Sequence, residues 1–165
     1  MAVYSIPFEN VTTSAVAGTA ETVAAVIVPA VAGSRVRILS VNVGPADATP
    51  QDQSFEVTLN RVDDVSAGGS GTAPTTIAAG SVPKFDSASA ASPASGKTGL
   101  FTVEPTVYLT NRLWGSGLNN RAALIKEWVT NEAPVIGFDQ LAGILITPRS
   151  ANAVVVSGTI VFESF

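Results

Sequence analysis

The sequence predicts an all-β fold, an antiparallel β-sandwich of the jelly-roll type. Valine and isoleucine together number 31 and threonine 16, against 10 for leucine plus methionine. Because β-branched side chains fit pleated sheets better than helices, long helices are not expected. Seven or eight apolar or alternating segments follow one another at regular spacing, with turn signals between them. That pattern is typical of a sandwich.

The length of 165 residues fits one domain. We predict an N-terminal arm over residues 1–21 and a single sandwich domain over residues 22–165. Hydrophobic residues make up 46% of the chain and charged residues 13%, which excludes disorder of the whole chain. The surface must therefore be mostly neutral, and a neutral surface repels other proteins weakly.

The arm carries three large apolar residues at a spacing of two, Tyr4, Ile6 and Phe8. This alternation places all three on one side of an extended segment. We predict that they form a protein-contact site by docking on a neighbouring chain, while the sandwich folds without them.

The first sandwich strands are predicted from alternation. Residues 23–28 are apolar on both faces, and Pro29 restricts this strand to an edge or an end. Residues 35–43 alternate strongly, but the alternation slips at Leu39, which a bulge or burial on both faces would explain. Residues 55–60 alternate again, with Glu56 facing outward.

A long surface loop is predicted over residues 63–99. Of these 37 residues, 28 are Gly, Ala, Ser, Thr or Pro. A stretch of this length is uncommon inside a compact domain. Its few apolar anchors are Ile77, Val82 and Phe85, and we expect an excursion over the surface that is held at Phe85 and carries one short strand.

Further strands are predicted at residues 100–103, 106–109, 141–147 and 154–163, with a turn at Gly115 and Gly117 and a bulge at Gly158. Residues 121–129 fit both a helical face and a strand alternation. In a chain this rich in β-branched residues we favour the strand.

The absence of histidine and cysteine limits the chemistry. It excludes thiol catalysis, disulfides, Cys/His zinc sites and any Ser-His-Asp triad. The commonest general base is also missing. We therefore predict no enzymatic activity, no catalytic residue, no cofactor and no metal.

The charge distribution argues against nucleic acid and membrane as partners. The net charge is −4 and the first basic residue is Arg35, whereas nucleic-acid binding needs clustered Lys and Arg. No positive segment precedes an apolar run, so no signal peptide is expected. The most apolar stretch, residues 23–32, is too short to span a bilayer. We expect a soluble protein.

Two glycine-containing stretches resemble phosphate-binding loops. Residues 91–98 (ASPASGKT) end like such a loop, but Ala91 stands where the first glycine belongs. Residues 68–71 (GGSG) are a second glycine-rich stretch. Neither has the strand-to-helix context that forms an amide cradle, so both are interpreted as surface loops.

Several carboxylates and aromatic residues have alternative interpretations. Calcium ligands or turn caps are the alternatives for Asp47, Asp52, Asp63 and Asp64. Glu104 and Glu127 could form a glycosidase pair. Alternatively, they lie on solvated faces or form ion pairs with Arg112 or Arg121. Sugar stacking is the alternative to burial in the core for Trp114 and Trp128. In each case we favour the structural role.

The order of segments resembles the jelly-roll decoration, or cement, proteins on the heads of tailed bacteriophages. The stretches that carry the resemblance are residues 62–72 (VDDVSAGGSGT), residues 86–93 (DSASAASP), Trp128 shortly before Pro134, residues 141–148 (LAGILITP) and residues 156–163 (VSGTIVFE). The resemblance covers most of the chain from Thr22 onward. It implies a symmetric oligomer, often a trimer, bound to an outer capsid lattice, and it supplies no catalytic residues.

The sequence therefore predicts a virion structural protein, made in the host cytoplasm and located on the outer surface of a phage head. Its expected partners are the major capsid protein and further copies of itself, with a homotrimer favoured. The alternative is a receptor- or carbohydrate-binding β-sandwich module of a phage tail fibre or baseplate. Exposure of Trp114 or Tyr108 on the sheet would favour that alternative.

Overall fold

The structure is a computed structural model that describes residues 1–47, 52–105 and 112–165. Within these residues the regular structure is β-strand apart from two short helical turns, Val65–Gly69 and Ala79–Ser81. The strands are β1 (Ala2–Thr12), β2 (Glu21–Val28), β3 (Val36–Pro45), β4 (Ser54–Val62), β5 (Thr75–Ile77), β6 (Ser95–Thr98), β7 (Arg112–Asn119), β8 (Leu124–Glu127), β9 (Val135–Ile136), β10 (Gln140–Pro148) and β11 (Val155–Ser164).

The strands form two antiparallel sheets. The first sheet has the order β1-β11-β3-β8, with β9 also paired to β3, and the second has the order β5-β6-β2-β10-β4-β7. Without β5, β6 and β9, the chain moves from one sheet to the other at every connection except β4 to β7. The first strand pairs with the last, β1 with β11. This strand order confirms the predicted jelly roll.

The main core lies between the two sheets. Its largest fully buried side chains include those of Tyr4, Phe55, Leu59, Ile144 and Phe162. They come from four strands, two in each sheet, because residues that point inward from both sheets meet between them. The regular alternation seen in the sequence therefore identifies most of this core.

A second apolar cluster lies on the outer face of the second sheet. Ala25, Leu141 and Leu145 form it together with Val62 and Phe101, and Val65 and Ala73 pack against it. Val65, Ala73 and Phe101, which cover this face, belong to residues 63–105, which we call the covering segment. Strand β2 is therefore buried on both faces, as expected, and the covering residues come from the same chain.

The covering segment also closes the edge of β1. The backbone N–H of Ser5 donates to the Pro83 carbonyl at 3.0 Å, and that of Phe85 donates to the Val3 carbonyl at 3.0 Å. Its buried anchor is Val82, which is 3% exposed, whereas the Phe85 side chain is 68% exposed. The prediction of Phe85 as the anchor is wrong, because only its backbone is held.

Several local predictions are confirmed. Residues 124–127 form a strand, β8, as favoured over the helix. The slip in β3 is a bulge at Leu39, since Ile38 pairs with Phe162 and Ser40 with Val161. At Gly158 the pairing with Val43 of β3 is regular, but the register with β1 shifts directly after the Phe8–Gly158 pair, so a bulge lies beside Gly158 with the extra residue in β1.

Other local predictions are wrong. Gly115 and Gly117 do not mark a turn but lie inside β7. No strand forms over residues 100–103; the strand in this region is β6. The predicted strand at residues 106–109 lies outside the described residues. No helix in the described part of the chain has the length and apolar character needed to span a membrane.

Candidate interaction surface

The structure places the three residues of the predicted arm in the chain's own core. Tyr4 is 1%, Ile6 0% and Phe8 2% exposed. The Tyr4 ring stacks on Phe162 with centroids 5.5 Å apart, and its hydroxyl donates to the Ala90 carbonyl at 2.9 Å. Residues 2–12 are thus the first strand of the sandwich and not an arm. The correction has a simple cause: period-two alternation is the same for a strand of the chain's own sheet and for one laid on a neighbour.

The two glycine-containing stretches are brought together by Lys97. Its Nζ donates to the Ser70 carbonyl and hydroxyl, both at 3.1 Å, and to the Gly71 carbonyl at 2.5 Å. Burial lowers the pKa of this ammonium group. Because Lys97 lies in β6, which pairs with β2, these hydrogen bonds tie residues 70 and 71 to the second sheet.

The four aspartates considered as calcium ligands are separated. Asp63 and Asp64 follow the end of β4, whereas Asp47 and Asp52 lie at the opposite end of the sandwich, where β4 begins. No group of three or more acidic residues suited to a metal ion occurs in residues 1–47, 52–105 and 112–165. The described aspartates therefore do not converge on one point.

The two candidate glycosidase carboxylates are associated with different sheets: Glu104, which lies outside the strands, contacts the second sheet, and Glu127 belongs to the first. The backbone N–H of Thr22, in the second sheet, donates to Glu104 at 2.9 Å, and the Thr22 hydroxyl donates to the same carboxylate. Glu127 lies in β8 of the first sheet, paired with Ser40. The two side chains therefore do not form a catalytic pair.

The expected arginine partners are also different. Arg112 pairs with Glu56 at 2.6 Å, and Arg121 lies 3.7 Å from Asp52. Strand β7 is antiparallel to β4. Arg112, at the start of β7, therefore reaches Glu56 within β4, and Arg121, just after the end of β7, lies near Asp52, which precedes β4.

Glu104 provides a test of pH dependence. Burial raises its pKa above the ordinary glutamate range, with a smaller contribution from Glu21 and opposing hydrogen bonds from Thr22. A raised pKa in the folded state means that stability from this group is present below the unfolded pKa and is lost as the pH rises through the folded pKa. We expect Glu104→Gln to become progressively more stable relative to wild type as the pH rises from about 4 to about 8. Urea unfolding of both proteins at each pH measures the difference; parallel stability curves would contradict the assignment.

The two tryptophans form one pair at the side of the sandwich. Trp114 lies in β7, at the edge of the second sheet, and Trp128 directly follows β8, at the edge of the first. Their ring centroids are 6.1 Å apart at an interplanar angle of 84°, and Lys126 Nζ lies 5.3 Å from the Trp128 ring centroid. Both are partly buried and pack against the main core, so they join the two sheet edges. Tyr108 lies outside the described residues.

Exposed apolar side chains concentrate at one end of the sandwich, where β2, β4 and β11 end and β1, β3 and β10 begin. Of the ten exposed large apolar residues in the described part of the chain, six lie there: Met1, Val31, Phe85, Val135, Phe138 and Phe165. We call these six residues the apolar end. Their exposed fractions range from 40% for Val135 to 88% for Met1.

Strand pairing, a cation–π contact and a backbone hydrogen bond position part of the apolar end. Val135 pairs with Arg37 in the first sheet, and the Arg37 guanidinium lies 4.6 Å from the centroid of the Phe165 ring. The backbone N–H of Asp139, next to Phe138, donates to the Pro29 carbonyl at 3.2 Å. Exposed apolar clusters of this kind mark interaction sites on soluble proteins.

No pattern in the sequence predicted this surface. Its residues are single apolar side chains at strand ends and in turns, widely separated along the chain. The sequence feature that could have indicated an exposed apolar surface is an isolated phenylalanine in a turn, as in Gly137-Phe138-Asp139. No periodic pattern requires an apolar residue there.

Comparison with known proteins gives only distant similarities. No protein-family model matches the chain, and no curated protein matches it. A chain in the structure of Cocksfoot mottle virus is 12% identical, with coverage of 97% of this chain and 91% of that chain and a TM-score of 0.29. VP1 of Trichodysplasia spinulosa-associated polyomavirus is 10% identical, with coverage of 98% and 93% and a TM-score of 0.30.

A chain in the structure of infectious bursal disease virus, Gx strain, is 13% identical, covers 98% of this chain and 39% of that chain, and has a TM-score of 0.23. With scores this low, the fold assignment rests on the strand order. The chain is an antiparallel jelly-roll sandwich whose first strand completes its own core.

Proposed function

We propose that this chain is a virion structural protein that binds the outer surface of a phage head and stabilises the capsid lattice. The observation that carries the proposal is the apolar end. Its six apolar side chains are exposed and belong to neither of the two hydrophobic clusters of the sandwich. The low charge of the chain and its resemblance to phage decoration proteins support the same role.

The proposed mechanism uses binding energy alone. A protein that binds the assembled lattice better than free capsid subunits shifts the equilibrium towards assembly by mass action. The major capsid protein is the proposed partner, and burial of the apolar end is the proposed source of affinity.

We also propose that the chain acts as a homotrimer. Symmetric homo-oligomers are common among soluble assemblies, and the low charge lets copies approach one another. The apolar outer face of β2 does not contribute to this proposal, because it is covered by Phe101 and Val65 of the same chain.

A capsid-binding experiment tests the proposal. We expect Phe138→Ser combined with Phe165→Ser to lower the affinity for empty heads, assembled from the major capsid protein of the same virus, at least about tenfold. The melting temperature should change little, because Phe138 is 59% and Phe165 47% exposed and neither belongs to a core cluster. Val16→Ser combined with Ile125→Ser is the matched control, since these exposed apolar residues lie outside the apolar end.

Electron microscopy of the heads measures occupancy, and the symmetry of the bound density gives the oligomeric state. Equal losses in both double variants, or unchanged occupancy in the first, would contradict the proposed contact surface. Failure of the wild-type protein to bind heads, together with specific binding on a glycan array, would favour the receptor- or carbohydrate-binding alternative.

A further inference from the structure

A small polar concavity lies on the outer face of the second sheet, beyond the part that the covering segment protects. Its volume is about 150 Å³, and its lining residues are Ala20, Glu56, Thr58, Asn60, Arg112, Leu145 and Thr147. At roughly 30 Å³ per water molecule this is the space of about five waters, enough for one side-chain-sized group. We call it the arginine groove.

The charges of the groove are arranged around one carboxylate. Glu56 accepts from Arg112 Nη2 at 2.6 Å on one oxygen and from Arg149 Nη2 at 2.5 Å on the other. The Glu56 side chain is 18% exposed, whereas those of Arg112 and Arg149 are 47% and 55% exposed. Two guanidinium groups on one carboxylate leave a net charge of about +1 and unused N–H donors, since each guanidinium carries five.

A glycine makes this arrangement possible. The Arg112 side chain lies across Gly115 of the same strand, so that a Cβ at Gly115 would lie 1.8 Å from Arg112 Nη2. Two residues further along the same face, a Cβ at Gly117 would have nothing within 4 Å. Gly115 thus provides the space through which Arg112 reaches Glu56.

We propose that the arginine groove binds a carboxylate group. Both oxygens of Glu56 are already paired, so the donors that remain are those of the two arginines and of the threonine hydroxyls. The planar guanidinium matches a carboxylate with two parallel hydrogen bonds. The partly enclosed position strengthens this attraction relative to open water. The ligand is an acidic side chain of a partner protein or a small free carboxylate, and the inference is independent of lattice binding.

Nuclear magnetic resonance titration tests the charge requirement. We expect propionate to shift the backbone amides of Thr58 and Thr147 in a saturable manner, and propionamide, its neutral isostere, to give no saturable shift. Equal responses to both compounds, or no saturation with propionate, would overturn the proposal.

A pair of glycine variants tests the geometry. Gly115→Ala should displace the Arg112 guanidinium without changing the net charge and should weaken propionate binding at least about fivefold. Gly117→Ala is the matched control and should bind as wild type. If Gly115→Ala fails to fold, Arg149→Gln serves instead, with the same expected loss. Unchanged affinity in the folded variant contradicts the site.

Titration with a third compound distinguishes the two sources of the carboxylate. This compound is glutamate with its α-amine acetylated and its α-carboxyl amidated, so that only the side-chain carboxylate is charged. Tighter binding of this capped glutamate than of propionate indicates an acidic side chain of a partner protein. Equal or weaker binding indicates a small free carboxylate.

Discussion

Deletion of residues 2–9 is expected to prevent the protein from folding. The deletion removes Tyr4, Ile6 and Phe8 from the core and takes away most of the ladder between β1 and β11. Burial of three such side chains contributes about 1.5–3 kcal/mol each, together about 5–9 kcal/mol, against a total stability of about 5–15 kcal/mol. Circular dichroism and thermal unfolding measure the result.

Two point variants in β1 distinguish the loss of buried side chains from the loss of the strand itself. Ile6→Ala should lower the free energy of unfolding by about 2–5 kcal/mol, because Ile6 is 0% exposed. Glu9→Ala, at an exposed position of β1, should stay within about 0.5 kcal/mol of wild type. A deletion variant that unfolds cooperatively at the wild-type temperature would show that β1 is dispensable for folding. That result would support the original prediction of an arm that docks on a neighbouring chain.

Gly158→Ala is expected to be the most destabilising change that adds a single carbon. A Cβ at Gly158 would lie 2.0 Å from the backbone oxygen of Asn42 and 2.7 Å from Phe8 Cζ. Gly158 pairs with both neighbouring strands of the first sheet, so neither β1 nor β3 can move away without loss of its ladder. We expect the free energy of unfolding to fall by about 3 kcal/mol, the upper part of the range for overpacking.

Urea unfolding measures this effect as a shift in the midpoint at constant slope. Gly80→Ala is the control, because nothing lies within 4 Å of a Cβ there and the backbone φ is not positive. It should change stability by less than about 0.5 kcal/mol. A wild-type midpoint for Gly158→Ala would mean that the first sheet can open at its centre.

Most of the predictable strands share one property: their burial follows a period of two. Strands β1, β3 and β11 have this pattern, and the slip at Leu39 located a bulge. Strand β10 is buried on both faces instead and was predictable as a continuous apolar run. Strand β7 was missed because Gly115 and Gly117 are turn residues by composition. The space that Gly115 provides is needed by Arg112, and that need is visible only once the side chains are placed.

The interaction sites were less predictable, because contacts distant in sequence build them. Alternation correctly placed Glu56 on an outward face, but nothing local relates it to Arg112 or Arg149. The apolar pattern of Tyr4, Ile6 and Phe8 was recognised correctly and assigned to the wrong partner. A single sequence specifies that a strand has an apolar face, whereas the sheet that receives this face depends on the whole topology.

The pairing of residues 83–85 with β1 bears on how copies of this chain avoid aggregation. An outer strand with free N–H and carbonyl groups can recruit a strand from another molecule and start a fibril. Few charges are available in this chain to oppose such recruitment. The backbone bonds from Ser5 to Pro83 and from Phe85 to Val3 occupy those groups along the first part of β1, and the proline adds a position that cannot donate. The glycine- and alanine-rich segment therefore leaves fewer free backbone groups on the first part of β1 for a strand of another copy to pair with.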